Sequence, residues 1–302
     1  MASGGLGAGA AVNRQAAALY EMMRAVNAGD AAAYARVYAE DAVITIQGGG
    51  VLSGRPAIEA YELDLLRQFP GTQLAFYDFW QDGLDVVVHY GVDGRTPAGQ
   101  AMGHEGLLFY RFDPSGLVRQ ERRYLDSATP MAQLGLLGPS PARPRPALPR
   151  TMQAHIAGTS PHEERNAALV RSTFAALDAR DEAAFLAAVA DDGVLDDLTE
   201  PSPSAGKPSV KAWFDRWTRA VAGARTEIAS LAAIGDEVLV ETVVRGRLQA
   251  PLGRLAASDR PFAVHRAAIV QVKDDKITRL AAFMNSKELA QAVGQWPPPA
   301  AK

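Results

Sequence analysis

The chain of 302 residues contains no cysteine, which excludes disulfides, zinc–thiolate sites and thiol nucleophiles. It carries no excess charge of one sign: 31 Lys and Arg stand against 34 Asp and Glu, a formal net charge of −3. The clustered basic footprint of a nucleic-acid or anionic-membrane binder is therefore missing. No uninterrupted apolar run approaches the ~18 residues that a membrane span needs. The opening MASGGLGAGAAVNRQ has neither a basic start nor an apolar core of signal-peptide length. HxH and HExxH spacings, a Gly-x-Ser-x-Gly elbow and a Walker loop are all lacking. Gly5-Leu6-Gly7-Ala8-Gly9-Ala10 imitates a dinucleotide fingerprint, but no strand precedes it. These absences point to a soluble, cytoplasmic protein with no nucleic-acid or membrane partner, and the length points to two domains.

What the chain does have is a repeat. Residues 16–43 align without gaps on residues 167–194, with Leu19, Met23 and Val26 matched by Val170, Phe174 and Leu177 at helical spacing. Asp30 and Asp181 fall where each would cap a second helix, which carries Tyr34, Val37 and Tyr38 against Phe185, Ala188 and Val189. Gly54-Arg55-Pro56 and Gly206-Lys207-Pro208 then open a third helix in each half. Strand-like runs follow at 74–80, 84–92, 102–112 and 117–125, and again at 226–233, 237–244, 262–272 and 277–284. Tight turns at Asp113-Pro114-Ser115-Gly116 and Asp274-Asp275 mark closing antiparallel hairpins. Each half ends in a short helix stopped by glycine, at Gly135 and Gly294. Residues 14–137 and 162–296 are thus the expected domains. The proline-rich stretch 138–161 reads as an extended, solvated linker, and the first dozen residues and the PPPAAK tail as mobile.

Three helices ahead of an antiparallel sheet, twice over, is an α+β pattern. The run Gly116 to Asp126, followed by Gln133-Leu134-Gly135, resembles the final strand of the SnoaL-like polyketide cyclases. Tyr38-Ala39-Glu40-Asp41-Ala42-Val43 and the Gly-Arg-Pro helix start are similar to the wider nuclear-transport-factor-2-like superfamily. The resemblance implies two tandem cone-shaped domains, each with three N-terminal helices packed on a curved antiparallel sheet around a pocket. They would pack as an internal pseudo-dimer, and whole chains could pair again as a homodimer. It further implies an apolar, carbonyl-bearing small-molecule substrate, cyclised or isomerised by a carboxylate without metal or organic cofactor.

By position that carboxylate is Asp126, in the first half; an apolar wall would raise its pKa toward the working pH. Asp126 also precedes Ser127 and a short helix, where aspartate is an ordinary cap. Its repeat counterpart is Asn285, which caps equally well but cannot take a proton. Acid/base chemistry is accordingly expected in the first half alone. Strand alternation puts Val118, Gln120, Arg122, Tyr124 and Asp126 on one face and Glu121, Arg123 and Leu125 on the other. If Asp126 faces the pocket, Arg122 and Tyr124 would hold a carbonyl or enolate oxygen. His104, placed opposite His265 in the repeat, could partner Asp126 across the hairpin, though a polar sheet face suits it better. His89 reads as structural. Tyr20, Tyr38, Trp80, Tyr90 and Phe109 are candidates for the pocket wall or the core; Asp41 and Asp192 read as ends of the second helices.

Two alternatives stand beside this reading. One is a non-catalytic ligand-binding or scaffold protein in which Asp126 and Asn285 only cap helices. The other is an epoxide hydrolase of the polyether type, using Asp41 with Glu59 or Glu62. Lys211 and Phe214 at the matching positions weaken a second such pair.

Overall fold

The computed structural model describes residues 5–138, 141–149 and 151–297, with side chains from residue 14 onward. By its internal contacts the chain divides into two units, Met1–Arg123 with Arg145–Ile156, and Tyr124–Pro144 with Ala157–Lys302. The α+β class is as expected from the sequence.

In the first unit, α1 (Gly5–Ala28), α2 (Ala31–Arg36) and α3 (Arg55–Gln68) accompany β1 (Tyr38–Ile46), β2 (Gly50–Ser53), β3 (Gln73–Asp82), β4 (Asp85–Arg95), β5 (Ala101–Phe112), β6 (Val118–Leu125) and β7 (Gln153–Ile156). Asp30 caps α2 by accepting from Ala33 N at 2.8 Å. Gly54 opens α3 at φ +84°, a conformation that only glycine adopts without strain, with proline next to it in the first turn. The sheet order is β2-β1-β6-β5-β4-β3-β7, antiparallel from β3 through β5 and parallel where β1 meets β6 and β7 meets β3. Leu19 and Met22 of α1, Tyr34 and Tyr38, Ile58 of α3 and the inward residues of β3 to β5 form one core.

The second unit repeats the plan. It contains α4 (Ala128–Gln133), α5 (Pro161–Ala179), α6 (Glu182–Ala188), β8 (Val189–Asp197), β9 (Ser204–Ala205), α7 (Lys207–Ala220), β10 (Val221–Ile234), β11 (Glu237–Leu248), β12 (Pro261–Lys273), β13 (Lys276–Met284) and α8 (Ser286–Ala292). Its sheet order is β10-β11-β12-β13-β8-β9. Ser160 and Glu163 make a reciprocal capping box at the start of α5. Trp213, Phe214 and Trp217 of α7 pack with Phe185 in the core.

Three expectations are corrected here. The second helix stops at Arg36 rather than carrying Tyr38, and the chain turns into β1, because the alternating, β-branched run Val43-Ile44-Thr45-Ile46 fits a sheet better than a helix. Asp41 and Asp192 consequently sit within strands β1 and β8, not at helix ends. The stretch 138–161 is not a free connector: Arg145–Ile156 belongs to the first unit, where β7 adds to the edge of β3 in the register Asp78↔Gln153 to Gln81↔Ile156. Gly5–Ala10 lies in α1, so it is not the strand-to-helix turn of a dinucleotide site. The expected mobile tail lies, beyond Pro297, outside the described residues. Among the described residues no helix is long and apolar enough to cross a membrane.

Candidate functional site

In the first unit the space between helices and sheet is occupied by a buried polar network. Tyr38 donates to Glu121 Oε2 at 2.5 Å, and the Tyr34 and Tyr38 hydroxyls lie 2.8 Å apart. Arg123 Nε donates to Glu121 Oε1 at 2.6 Å, and its Nη2 donates to Tyr34 at 3.1 Å. Glu121 is 1% exposed, so these donors are what offset its desolvation. Burial raises the pKa of Glu62 on α3, which also lies in the field of Arg123 and Glu121. Burial likewise holds the phenols of Tyr34, Tyr38, Tyr90 and Tyr110 above their ordinary value, so all stay protonated donors.

The network shows which face of β6 looks inward. Glu121 and Arg123 meet Tyr34 and Tyr38, whereas the Arg122 guanidinium lies over the Phe109 ring at 5.7 Å on the other face. Of the residues singled out from the sequence, Tyr38, Tyr90 and His104 share the first core side, with His104 edge-on to Tyr90 at 5.7 Å between ring centroids. Phe109 and Arg122 lie across the sheet from them. Tyr124 and Asp126 follow the boundary within β6 and belong to the second unit, where Tyr124 donates to Glu241 Oε1 at 2.8 Å. The expected set is thus divided, because successive strand residues point to opposite faces and the inward ones are Glu121 and Arg123.

Asp126 is buried, and burial raises its pKa. Its Oδ1 accepts from Ser286 Oγ at 2.5 Å, Ser286 N at 3.0 Å and Ala128 N at 3.3 Å, and its Oδ2 accepts from Thr129 Oγ1 at 2.9 Å. Those donors make Asp126 a buried acceptor shared between the starts of two helices, while the cap position of α4 itself is Ser127. His104 lies in the other unit, in surroundings that lower its pKa to about 4, so it is neutral near pH 7. The hairpin registers also shift the repeat by one residue here. Asp78 faces His89 as Ser230 faces Glu241; His265, opposite Val243, therefore matches Glu105 rather than His104. Asp41 pairs with Arg119 and its side chain is 68% exposed, while Glu62 is buried and Glu59 half-buried on the same helix.

The second unit holds a small cavity of about 30 Å³. Phe174, Leu177, Phe185, Trp213, Trp217 and Val244 supply apolar walls, and Thr226, Thr242 and Arg266 supply polar groups. In the repeat Thr242 matches Tyr90, and Arg266 matches Gly106, the glycine over which the Tyr90 ring lies. The first unit fills this space with tyrosine; the second leaves a small gap beside an arginine. Arg266 lies over the Trp217 ring at 5.1 Å and 3.6 Å from Asp197 Oδ2. Asp197 Oδ1 accepts from Thr199 N at 3.1 Å and Thr199 Oγ1 at 2.8 Å. Glu200, three residues on, has its pKa raised by burial and then by Asp197. Sequence reasoning missed this group because Asp196-Asp197 reads as an ordinary polar strand end, and only the sheet turns Asp197 inward.

Among the described residues no cluster of three or more His, Asp or Glu side chains is arranged to hold a metal. The family model described as SnoaL-like domain matches residues 19–120 and 170–280. No curated protein matches the sequence. Among solved structures, one similar chain is a hypothetical protein with a ketosteroid isomerase-like fold from Catenulispora acidiphila, in complex with trimethylamine. It is 22% identical with a TM-score of 0.38, over 46% of this chain and 100% of its own. A candidate polyketide cyclase from Xanthomonas campestris is 24% identical with a TM-score of 0.39, over 44% of this chain and 98% of its own. An LEH-like epoxide hydrolase from M. tuberculosis is 18% identical with a TM-score of 0.37, over 44% and 91%. These likenesses concern the fold.

Proposed function

Because the chain belongs to the SnoaL-like domain family, matched once in each half, we propose that it binds an apolar, carbonyl-bearing small molecule in the second unit and acts on it as a cyclase or isomerase. The observation that carries this reading is the small cavity of about 30 Å³, apolar on most of its wall, with Arg266 on that wall and Asp197 3.6 Å behind it; Trp213 and Trp217 must part to admit a ligand. Apolar pockets with a few convergent polar groups are the usual small-molecule sites. In this reading the chemistry lies in the second half, where the sequence alone favoured the first.

In this reading the Arg266 guanidinium donates to the substrate carbonyl oxygen, and the Asp197 carboxylate takes a proton from the adjacent carbon. The electron pair of the broken C–H bond moves into an enolate whose oxygen Arg266 stabilises. Isomerisation returns the proton to another carbon of the enolate. Cyclisation instead joins the enolate carbon to a second carbonyl carbon of the same molecule, and the new alkoxide takes the proton back.

2-Tetralone, an apolar ketone with acidic C–H bonds, tests both parts. Bound in the cavity it quenches Trp213 and Trp217, and Arg266→Met weakens that binding about tenfold, the loss of ~1.4 kcal/mol. In deuterated water the wild type exchanges the α-protons of the probe and Asp197→Asn does not. Absence of saturable quenching would overturn the reading.

A second reading is a ligand-binding protein without catalysis. The four donors around Asp126 favour it, since they make the carboxylate expected to be catalytic a structural acceptor. Quenching by 2-tetralone without α-proton exchange would select it.

A further inference from the structure

We infer that Arg143, in the proline-rich stretch between the halves, is a positioning residue for the acidic turn that abuts Arg266 on the wall of the second unit's cavity. The inference rests on the reading that this cavity holds the ligand. Residues 195–197 of β8 alternate: Leu195 lines the cavity, Asp196 points to the other face, and Asp197 points back toward Arg266. Asp196 is 3% exposed and receives Arg143 Nη2 at 2.8 Å and Arg279 Nη2 at 2.5 Å. Arg143 Nη1 also donates to the Glu200 carbonyl at 3.3 Å. One guanidinium fork therefore ties the strand before the turn to the residue after it, and Asp197 and Thr199 are held between those two points.

Arg143 is itself fixed. Gln133 Nε2 donates to its carbonyl at 2.8 Å, and its side chain is only 15% exposed. On the cavity side the same turn closes through Glu200 N to Asp197 O at 2.9 Å and the two Thr199 bonds to Asp197. A planar guanidinium makes such two-point contacts; an ammonium is a point charge and cannot. Without the fork, Asp196 keeps Arg279 and β8 stays in register with β13, but the turn at 198–200 loses its outer tether. The carboxylate of Asp197 then samples positions away from Arg266.

The test uses the full chain with Arg143→Met and Arg143→Lys. It reads 2-tetralone affinity from tryptophan quenching, thermal unfolding, and hydrogen exchange of individual amides in the free protein. Arg143→Met is expected to bind about tenfold more weakly and to exchange the Thr199 and Glu200 amides faster, with the amides of β11 and β12 unchanged. Arg143→Lys is expected to fall between, because it restores the charge on Asp196 but not the bond to Glu200. Unchanged affinity in Arg143→Met against a wild type that binds would overturn this role alone. Faster exchange spread evenly over the sheet would also overturn it, as the mark of general destabilisation. A wild type that leaves 2-tetralone unbound would remove the ligand reading and this role together.

Discussion

Asp126 and Asn285, which match each other in the repeat, each hold the serine that follows the other. Asp126 accepts from the backbone and hydroxyl of Ser286. Asn285 accepts from Ser127 N at 3.3 Å and donates Nδ2 to Ser127 Oγ at 2.9 Å. Both residues are buried, and Asn285 also caps α8 through Lys287 N.

Replacing Asp126 by Asn puts an amide NH₂ where an acceptor is needed, and strands at least one buried donor among Ser286, Thr129 and Ala128. The expected cost is about 1–3 kcal/mol of stability, read as an earlier urea midpoint with an unchanged slope. Exchange of 2-tetralone protons should not change. Unaltered stability with lost exchange would instead restore Asp126 to the chemistry.

Much of the fold was legible because hairpins announce themselves. Gly83, Gly116, Gly235 and Asp274-Asp275 all take positive φ at the turns between strands that alternation had already marked. The faces were harder. On β6 the outward Arg122 and inward Arg123 are identical in type, and their counterparts Ala281 and Ala282 are identical too, so period-2 reasoning had no contrast to work on. β1 was hidden because Tyr34 and Tyr38 are four apart, a helical spacing, although only Tyr34 is in the helix. The cavity arises from exchanges between strands, Tyr90 with Gly106 becoming Thr242 with Arg266, and such pairs are visible only once register is known.

The link from Tyr38 to Glu121 gives a second prediction. Tyr38→Phe keeps the ring in the core but removes one donor from a carboxylate that is almost wholly buried. Arg123 remains as its partner, so the expected loss is about 1–3 kcal/mol and not a collapse of the fold. Thermal or urea unfolding measures it. A change below a few tenths would mean that water replaces the hydroxyl.

His104 gives the acid limb of stability a definite sign. Burial lowers its folded-state pKa to about 4 from an ordinary 6.5, with Glu105 and Arg123 the charged groups acting on it. Below pH 6.5 the unfolded chain takes up the proton that the folded chain refuses, so stability falls as the pH drops toward 4. His104→Leu removes the titrating ring together with its bond to the Glu105 backbone, a loss that is the same at every pH above 6.5 and leaves the slope as the quantity to read. His104→Leu should therefore lose less stability than wild type between pH 7 and pH 4.5. Glu62, whose raised pKa works in the opposite direction, is common to both proteins and cancels in the comparison. Parallel melting curves across that range would contradict the assignment.

Gly91 tests whether the stretch Arg145–Ile156 is built onto the first sheet or merely rests there. A Cβ at Gly91 would lie 2.6 Å from the Tyr77 hydroxyl and 3.0 Å from Leu148 Cδ2, and Tyr77 in turn donates to the Ala147 carbonyl at 3.0 Å. Gly103 makes similar room for Pro146. The matching residues of the second unit, Val243 and Ala263, carry side chains, and the second sheet ends at β10 with no strand like β7 added to it among the described residues. Gly91→Ala should push Tyr77 and Leu148 outward at a cost of about 1–3 kcal/mol. Because β4 keeps its ladders to β3 and β5, the disturbance should be local: proteolysis within 145–156 speeds up, and amide protection falls at β7 before it falls in β4. Equal loss of protection across the whole sheet would show instead that the glycine serves the strand and not the segment lying over it.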